Sequence, residues 1–220
     1  MSDTNAEHIE RLEQRPIGGA LKRSFDIAFS LLASVTLLPL MAAIAVVHKL
    51  VDGGPVFFVH ERIGLNGSRF GCIKFRTMVE DADSKLDALL AEDPAAAAEY
   101  ARDSKLRKDP RIIPVVGKFL RSTSLDEIPQ FLNVLKGDMS IVGPRPIIER
   151  EFALYGPAGA DYLRSRPGIT GLWQVSGRNE TTFEERVSLD SDYVRSWSFG
   201  EDLNIVVKTV AVVLKREGAY

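Results

Sequence analysis

The sequence is nearly free of cysteine. Cys72 is the only one in 220 residues, which excludes a disulfide-stapled fold and a four-thiolate zinc site. Net charge is also scarce: 28 basic residues against 30 acidic ones leave −2. A general nucleic-acid binder needs a phosphate-neutralising excess, so no nucleic acid is expected among the partners. No P-loop and no Gly-x-Gly-x-x-Gly fingerprint occurs, and the usual nucleotide-fold routes are unsupported. There is no internal repeat and no low-complexity tract. With 45% hydrophobic and 26% charged residues, the chain is neither disordered nor collagen-like. Its length suits one domain plus an appendage.

What the chain does have is one long apolar run. Residues 27–47 are about 21 residues without a charge, which as a helix would reach roughly 30 Å, the depth of a hydrocarbon core. The run is too long for a signal-peptide core and no small-residue cleavage site follows it. Pro39 sits in its middle, where it removes a backbone hydrogen bond and bends a helix. Ser34 and Thr36 just upstream could satisfy carbonyls freed at the bend. Basic residues flank both ends, Lys22 and Arg23 before and His48 and Lys49 after. A spanning helix prefers positive charge on one side only. The pattern fits a segment that dips in and returns as well as one that crosses.

Residues 1–20 are polar, end in Pro16 and Gly18-Gly19, and read as a flexible arm. Asp52-Gly53-Gly54-Pro55 is a turn. Residues 56–59 read as a short strand, 62–67 as a turn, and 70–77 as the partner strand. There Ile73 and Phe75 alternate with Lys74 and Arg76, placing both cations on one face. Residues 79–108, broken at Asp93-Pro94, read as a pair of exposed helices, or one helix and a mobile linker, with no chemistry. Residues 115–120 read as a short apolar helix, 166–178 as a loop, and 183–195 as a helix. A last helix over 203–214 is apolar on one side, suited to the core or to a membrane surface.

Three stretches could carry chemistry. In Arg121-Ser122-Thr123-Ser124-Leu125-Asp126-Glu127-Ile128-Pro129-Gln130, Ser124 and Glu127 have capping-box spacing, which places Asp126 and Glu127 in a first helical turn. Acidic residues there are also simply favoured by the helix dipole. In the functional reading, free amides, Arg121 and a divalent cation keep Asp126 ionised, and an ionised, partly desolvated aspartate is a nucleophile toward phosphorus. In Gly143-Pro144-Arg145-Pro146, two prolines stiffen the mount of Arg145. That suits bidentate phosphate contact, or no more than a rigid surface turn. The stretch from Arg166 to Asn179 gathers glycines, Trp173, Gln174, Arg166 and Arg178. It could seat an anionic or sugar ligand or be a packed connector.

Taken together, Lys74-Phe75-Arg76-Thr77-Met78, the Asp126-Glu127 dyad in its Ser-Leu-Asp-Glu-Ile-Pro-Gln setting, Gly143-Pro144-Arg145-Pro146 and Arg166-Pro167-Gly168-Ile169-Thr170-Gly171 resemble the monotopic phosphoglycosyl transferases, a family of bacterial sugar transferases. The likeness runs from about Lys22 to the C-terminus. It implies an α+β fold: an N-terminal re-entrant membrane helix over residues 21–50, kinked at Pro39, then a small, mostly helical catalytic domain over 51–220. That domain would carry a short β-hairpin and interfacial amphipathic helices on the cytoplasmic face of the bacterial inner membrane. The implied reaction moves a hexose-1-phosphate from a UDP-hexose to undecaprenyl phosphate, releases UMP and initiates exopolysaccharide synthesis. Galactose is the expected sugar, with glucose next. Asp126 would form an aspartyl-phosphosugar and Glu127 would help bind Mg²⁺. Arg121 and Arg145 would contact phosphate, with Lys74, Arg76, Arg166, Gln174 and Arg178 as further substrate-binding candidates. Membrane lipid is an implied partner, and an oligomer is compatible with the pattern. The competing readings are a non-enzymatic membrane-anchored scaffold of polysaccharide assembly and a soluble UDP-sugar hydrolase.

Overall fold

A computed structural model describes residues 16–103, 106, 109–177 and 181–215. Most of the expected arm, residues 1–15, and the candidate Arg178 lie outside the described residues. The end of that arm is not loose. Ile17 packs on the main core, and its N–H donates to the Arg164 carbonyl at 3.2 Å.

The apolar run lies within α1 (Gly19–Val51), which is one helix through Pro39. Its 33 residues reach about 50 Å. Only 11% of its most apolar 18-residue stretch is buried, so α1 is not the core helix of a soluble protein. Ser34 does not serve the bend as expected: its Oγ has no hydrogen-bond partner among the described residues. Both ends of α1 are tied to the rest of the protein. Near the start, Lys22 Nζ donates to Asp202 Oδ2 at 2.7 Å and to the Tyr193 hydroxyl at 3.0 Å. Asp26 accepts from Ser140 Oγ and from the Ile141 N–H, both at 2.9 Å. Near the end, Ile44 packs with Phe75, Val116 and Leu120, and His48 Nε2 sits 2.9 Å from the Arg76 carbonyl.

A hairpin follows, β1 (Phe57–Ile63) against β2 (Arg69–Phe75), antiparallel with Phe57 opposite Phe75 and Ile63 opposite Arg69. Strand β1 is longer than its apolar letters suggest, because His60, Glu61 and Arg62 stay in register as exposed or half-buried strand residues. Strand β2 stops at Phe75, so Arg76 leaves the sheet. Helices α2 (Ala82–Glu92) and α3 (Pro94–Asp103) realise the expected pair, and Asp93 at the break accepts from the Ala95 and Ala96 N–H groups.

Helix α4 (Val116–Thr123) ends at Ser124, whose φ of 56° is left-handed. A residue that terminates one helix in that conformation cannot cap the next, and Ser124 makes no side-chain cap. The expected capping box is therefore absent there. Asp126 and Glu127 lie instead on a 3₁₀ turn (Leu125–Glu127) ahead of α5 (Gln130–Lys136). The chain's well-formed capping box joins Thr182 and Glu185 at the start of α6 (Phe183–Arg195).

The stretch expected as a loop contains β4 (Gly168–Thr170), parallel to β3 (Ser140–Val142), and a single helical turn (Leu172–Val175). Helix α7 (Phe199–Lys215) takes the core option on one side and leaves an apolar stripe exposed on another. Ile205 is fully buried, whereas Leu203, Val207 and Val210 are exposed along one stripe. The main core gathers Phe70, Cys72, Val134, Met139, Tyr193 and Ile205, with Phe25 and Phe29 of α1 packed against it.

Candidate active site

The site forms where the hairpin, the 3₁₀ turn and the β3–β4 pair converge on a shallow cleft. Its walls carry Arg62, Cys72, Lys74, Glu127, Gln130, Arg145, Gly168, Ile169 and Gln174, around about 290 Å3 including the open mouth. Strand β2 supplies Lys74, which donates to Glu127 Oε1 at 2.6 Å with both side chains about three-quarters buried. Asp126 is next to Glu127 and half-buried. Its carboxyl is pushed up to about 6. Burial is the largest cause and the charge of Glu127 the next, and both outweigh the pull of Lys74 and Arg121. Arg121 favours the ionised form, as expected, but does not offset burial and the charge of Glu127. Asp126 is ionised at neutral pH but close to its titration range.

The two loops with proline-flanked arginines meet through glycine. The Gly143 N–H donates to the Thr170 carbonyl at 2.9 Å and the Gly168 N–H to the Pro144 carbonyl at 2.8 Å. A side chain on Gly143 would collide with the Arg166 carbonyl and the Gly168 backbone, and one on Gly171 with the Gly143 carbonyl. Close backbone approach thus demands glycine here. Arg145 is carried out of this junction with its guanidinium 5.7 Å from the Trp173 ring centroid, and Arg186 of α6 sits 4.7 Å from that ring. Behind the loop lies Asp190, buried, receiving the Tyr155 hydroxyl at 2.9 Å and facing the Arg145 backbone N–H. Burial pushes its carboxyl up to about 7.

Of the candidate residues, the structure brings Lys74, Glu127, Arg145 and Gln174 to the cleft, with Asp126 beside it. Arg121, on α4, is exposed and close enough to Asp126 to favour its ionised form. Two arginines are placed elsewhere. Arg76 is buried and spends its guanidinium on Asp52, the Pro55 carbonyl and the Met78 carbonyl, tying the end of β2 to the end of α1. Arg166 donates from Nε to the Gly137 carbonyl at 2.8 Å and is not a cleft residue. Three cleft residues escaped the sequence reading: Arg62, Cys72 and Gln130. Arg62 and Cys72 share a hairpin face with Lys74, a pattern visible only once β1 is extended through His60 and Arg62. Burial raises the Cys72 thiol above its usual range, so it is a packed wall rather than a nucleophile.

Among the described residues no group of three or more His, Cys, Asp or Glu side chains is arranged to hold a metal ion. Glu127, the one carboxylate among the cleft-lining residues, is the residue that would hold magnesium in the mode that uses a single carboxylate and completes the shell with substrate phosphate and water.

The family described as bacterial sugar transferase matches residues 17–216. The exopolysaccharide production protein ExoY of Sinorhizobium fredii is 50% identical over 206 residues, 94% of this chain and 91% of that protein. The undecaprenyl-phosphate galactose phosphotransferase of Salmonella typhimurium is 51% identical over 201 residues, 91% of this chain but 42% of that longer protein. The UDP-glucose:undecaprenyl-phosphate glucose-1-phosphate transferase of Caulobacter vibrioides is 36% identical, across 90% of this chain and 72% of that protein. This chain, matched along nearly its whole length, belongs to the bacterial sugar transferase family.

Proposed function

We propose that this sugar-1-phosphate transferase moves galactose-1-phosphate, with glucose-1-phosphate as the alternative, from a UDP-hexose to undecaprenyl phosphate and so begins an exopolysaccharide repeat unit. The relatives named for galactose and glucose transfer support that order, since identity is higher to the galactose protein. The observation that carries the mechanism is the setting of Asp126: desolvated enough to be nucleophilic, next to a glutamate whose charge Lys74 shares.

In the first step an Asp126 oxygen bonds to the β-phosphorus of the donor. The bond from that phosphorus to the bridging oxygen breaks, and UMP departs with the oxygen and the electron pair. In the second step an oxygen of the lipid phosphate attacks the same phosphorus and the aspartyl ester bond breaks, restoring the carboxylate. Both steps bring anion to anion, and Lys74, Arg121 and Arg145 offset the repulsion. Magnesium, held by Glu127, would supply further charge neutralisation on the transferred phosphate. No glycosidic bond breaks, so paired-carboxylate glycosidase logic does not apply.

The membrane places the acceptor. The exposed flank of α1 and the stripe Leu203, Val207 and Val210 of α7 fit a lipid surface, and the reading puts the catalytic domain on the cytoplasmic face of the inner membrane. The direct test is intact-mass analysis of enzyme quenched with UDP-galactose and no acceptor. An added hexose phosphate that is absent in Asp126→Asn supports the reading. Turnover by Asp126→Asn near the wild-type rate overturns it and leaves another nucleophile. Chelation of divalent cations by EDTA is expected to abolish UMP release, and magnesium to restore it.

A further inference from the structure

Cations outnumber acids on the cleft walls. Arg62, Lys74 and Arg145 line it with Glu127 as the one carboxylate among the lining residues, and Lys74 already donates to Glu127 at 2.6 Å. Arg62 is only loosely served. Its Nη1 lies 3.8 Å from Glu151, whose same oxygen accepts from the Ile148 N–H at 3.1 Å, and its Nη2 meets neutral His60 at 3.1 Å. Arg145 has no ion pair among the described residues and rests on Trp173. Burial, and then the charge of Arg145, press Arg62 below the usual guanidinium range. Two guanidinium groups held together on a half-buried wall repel, and an anion between them relieves that cost.

The position of Arg62 along the hairpin gives the anion an identity. On the cleft face the strand pairs run Phe58–Lys74, His60–Cys72 and Arg62–Phe70. At about 3.3 Å per residue, the Arg62 level is about 13 Å along the strand from that of Lys74. Cys72 lies midway between them on the same wall, which Arg145 also lines. The cleft therefore has a reacting end at Lys74 and Glu127 and a docking end at Arg62 and Arg145. We propose that Arg62 and Arg145 form an anion subsite for the phosphate that stays on the departing nucleotide, gripping the donor before transfer and the nucleoside monophosphate after it. This rests on the transferase reading and deepens it: Arg145 offsets charge in both steps, whereas Arg62 serves the donor half-reaction and not the acceptor half.

In a two-step exchange kcat/KM for each substrate reports its own half-reaction, which gives a clean test on the full chain in lipid nanodiscs. Arg62→Gln is expected to lower kcat/KM for the UDP-hexose about tenfold or more, equivalent to about 1.4 kcal/mol. It should weaken UMP binding, titrated calorimetrically, by a similar factor and leave kcat/KM for undecaprenyl phosphate within twofold. Arg62→Lys, which keeps charge but loses the fork, should fall between and serves if the glutamine variant folds poorly. Unchanged donor kinetics and UMP affinity would overturn the subsite, as would an equal fall for both substrates or unaltered UMP binding beside a slower donor step. The UMP titration needs no turnover, so it reads the subsite even if Asp126→Asn were to keep activity and the transferase mechanism failed.

Discussion

Asp126 sits between two opposing demands. A nucleophile toward phosphorus has to be ionised, yet burial and the charge of Glu127 favour the protonated form and lift its carboxyl to about 6. Activity therefore falls as the pH drops through about 6, where the carboxylate gains its proton. A kcat/KM profile for the donor between pH 4.5 and 8 checks this, and an acid limb centred near the ordinary aspartate value would contradict it. In Glu127→Gln the limb moves to lower pH even as the rate declines, because one raising charge is gone. Asp190 makes a second prediction of opposite use. Its folded value of about 7 lies above the unfolded value near 4. The folded state then binds more protons across that window, and stability drops as pH rises from about 4 to 7. Thermal melts of wild type and Asp190→Asn should diverge over this window, the variant lacking that part of the slope; parallel curves would place the Asp190 proton elsewhere. The dyad was legible in the sequence because its neighbours form a specific string. Its titration was not, because desolvation depends on which segments cover it.

Between elements, legibility depended on whether the signal was local. Helix α6 starts and stops where its letters say, since Thr182 and Glu185 form a reciprocal cap within four residues. Ser124 carries the same spacing and fails, because the end of α4 claims it first. The polar half of β1 is hidden for a related reason: His60 and Glu61 carry no strand signal, and Arg62 reads as the start of a turn, until the register with Cys72, Gly71 and Phe70 is known. The junction of β3 and β4 is the least local. Gly143, Gly168 and Gly171 come from two loops and interlock only in three dimensions. Gly143→Ala forces a methyl group into the Arg166 carbonyl and the Gly168 backbone. Overpacking costs about 1–3 kcal/mol where side chains can yield; here backbone must move, and with it the mount of Arg145. The expected result is a clear loss of melting temperature together with weaker donor binding, and a melt indistinguishable from wild type would refute the interlock.

At the scale of the molecule, the question is how one domain holds a 33-residue apolar helix. The flanking charges that suggested a returning segment are mostly used inside the protein. Lys22 is buried against Asp202, His48 against the Arg76 carbonyl, and Arg23 donates to the Val134 and Leu135 carbonyls. The positive-inside argument therefore weakens, and a geometric one replaces it. The contacts at Lys22 and Asp26 and those at Ile44 and His48 reach one continuous body, because α5 meets α1 on one side and clasps β2 through Asn133 on the other. A helix gripped near both ends by one domain favours both ends lying on one face of a bilayer. Breaking the Lys22–Asp202 pair from one side strands a buried charge, at about 3–5 kcal/mol, so the grip is not incidental. Single cysteines at Ala20 and Val51, in a Cys72→Ser background, should both react with a membrane-impermeant maleimide in inverted vesicles and both resist it in intact cells. A cysteine at Leu38, in the exposed middle of α1, should resist in both. Labelling of Ala20→Cys and Val51→Cys from opposite sides would mean that the helix crosses, and the domain contacts at one end of α1 would then have to open in the membrane.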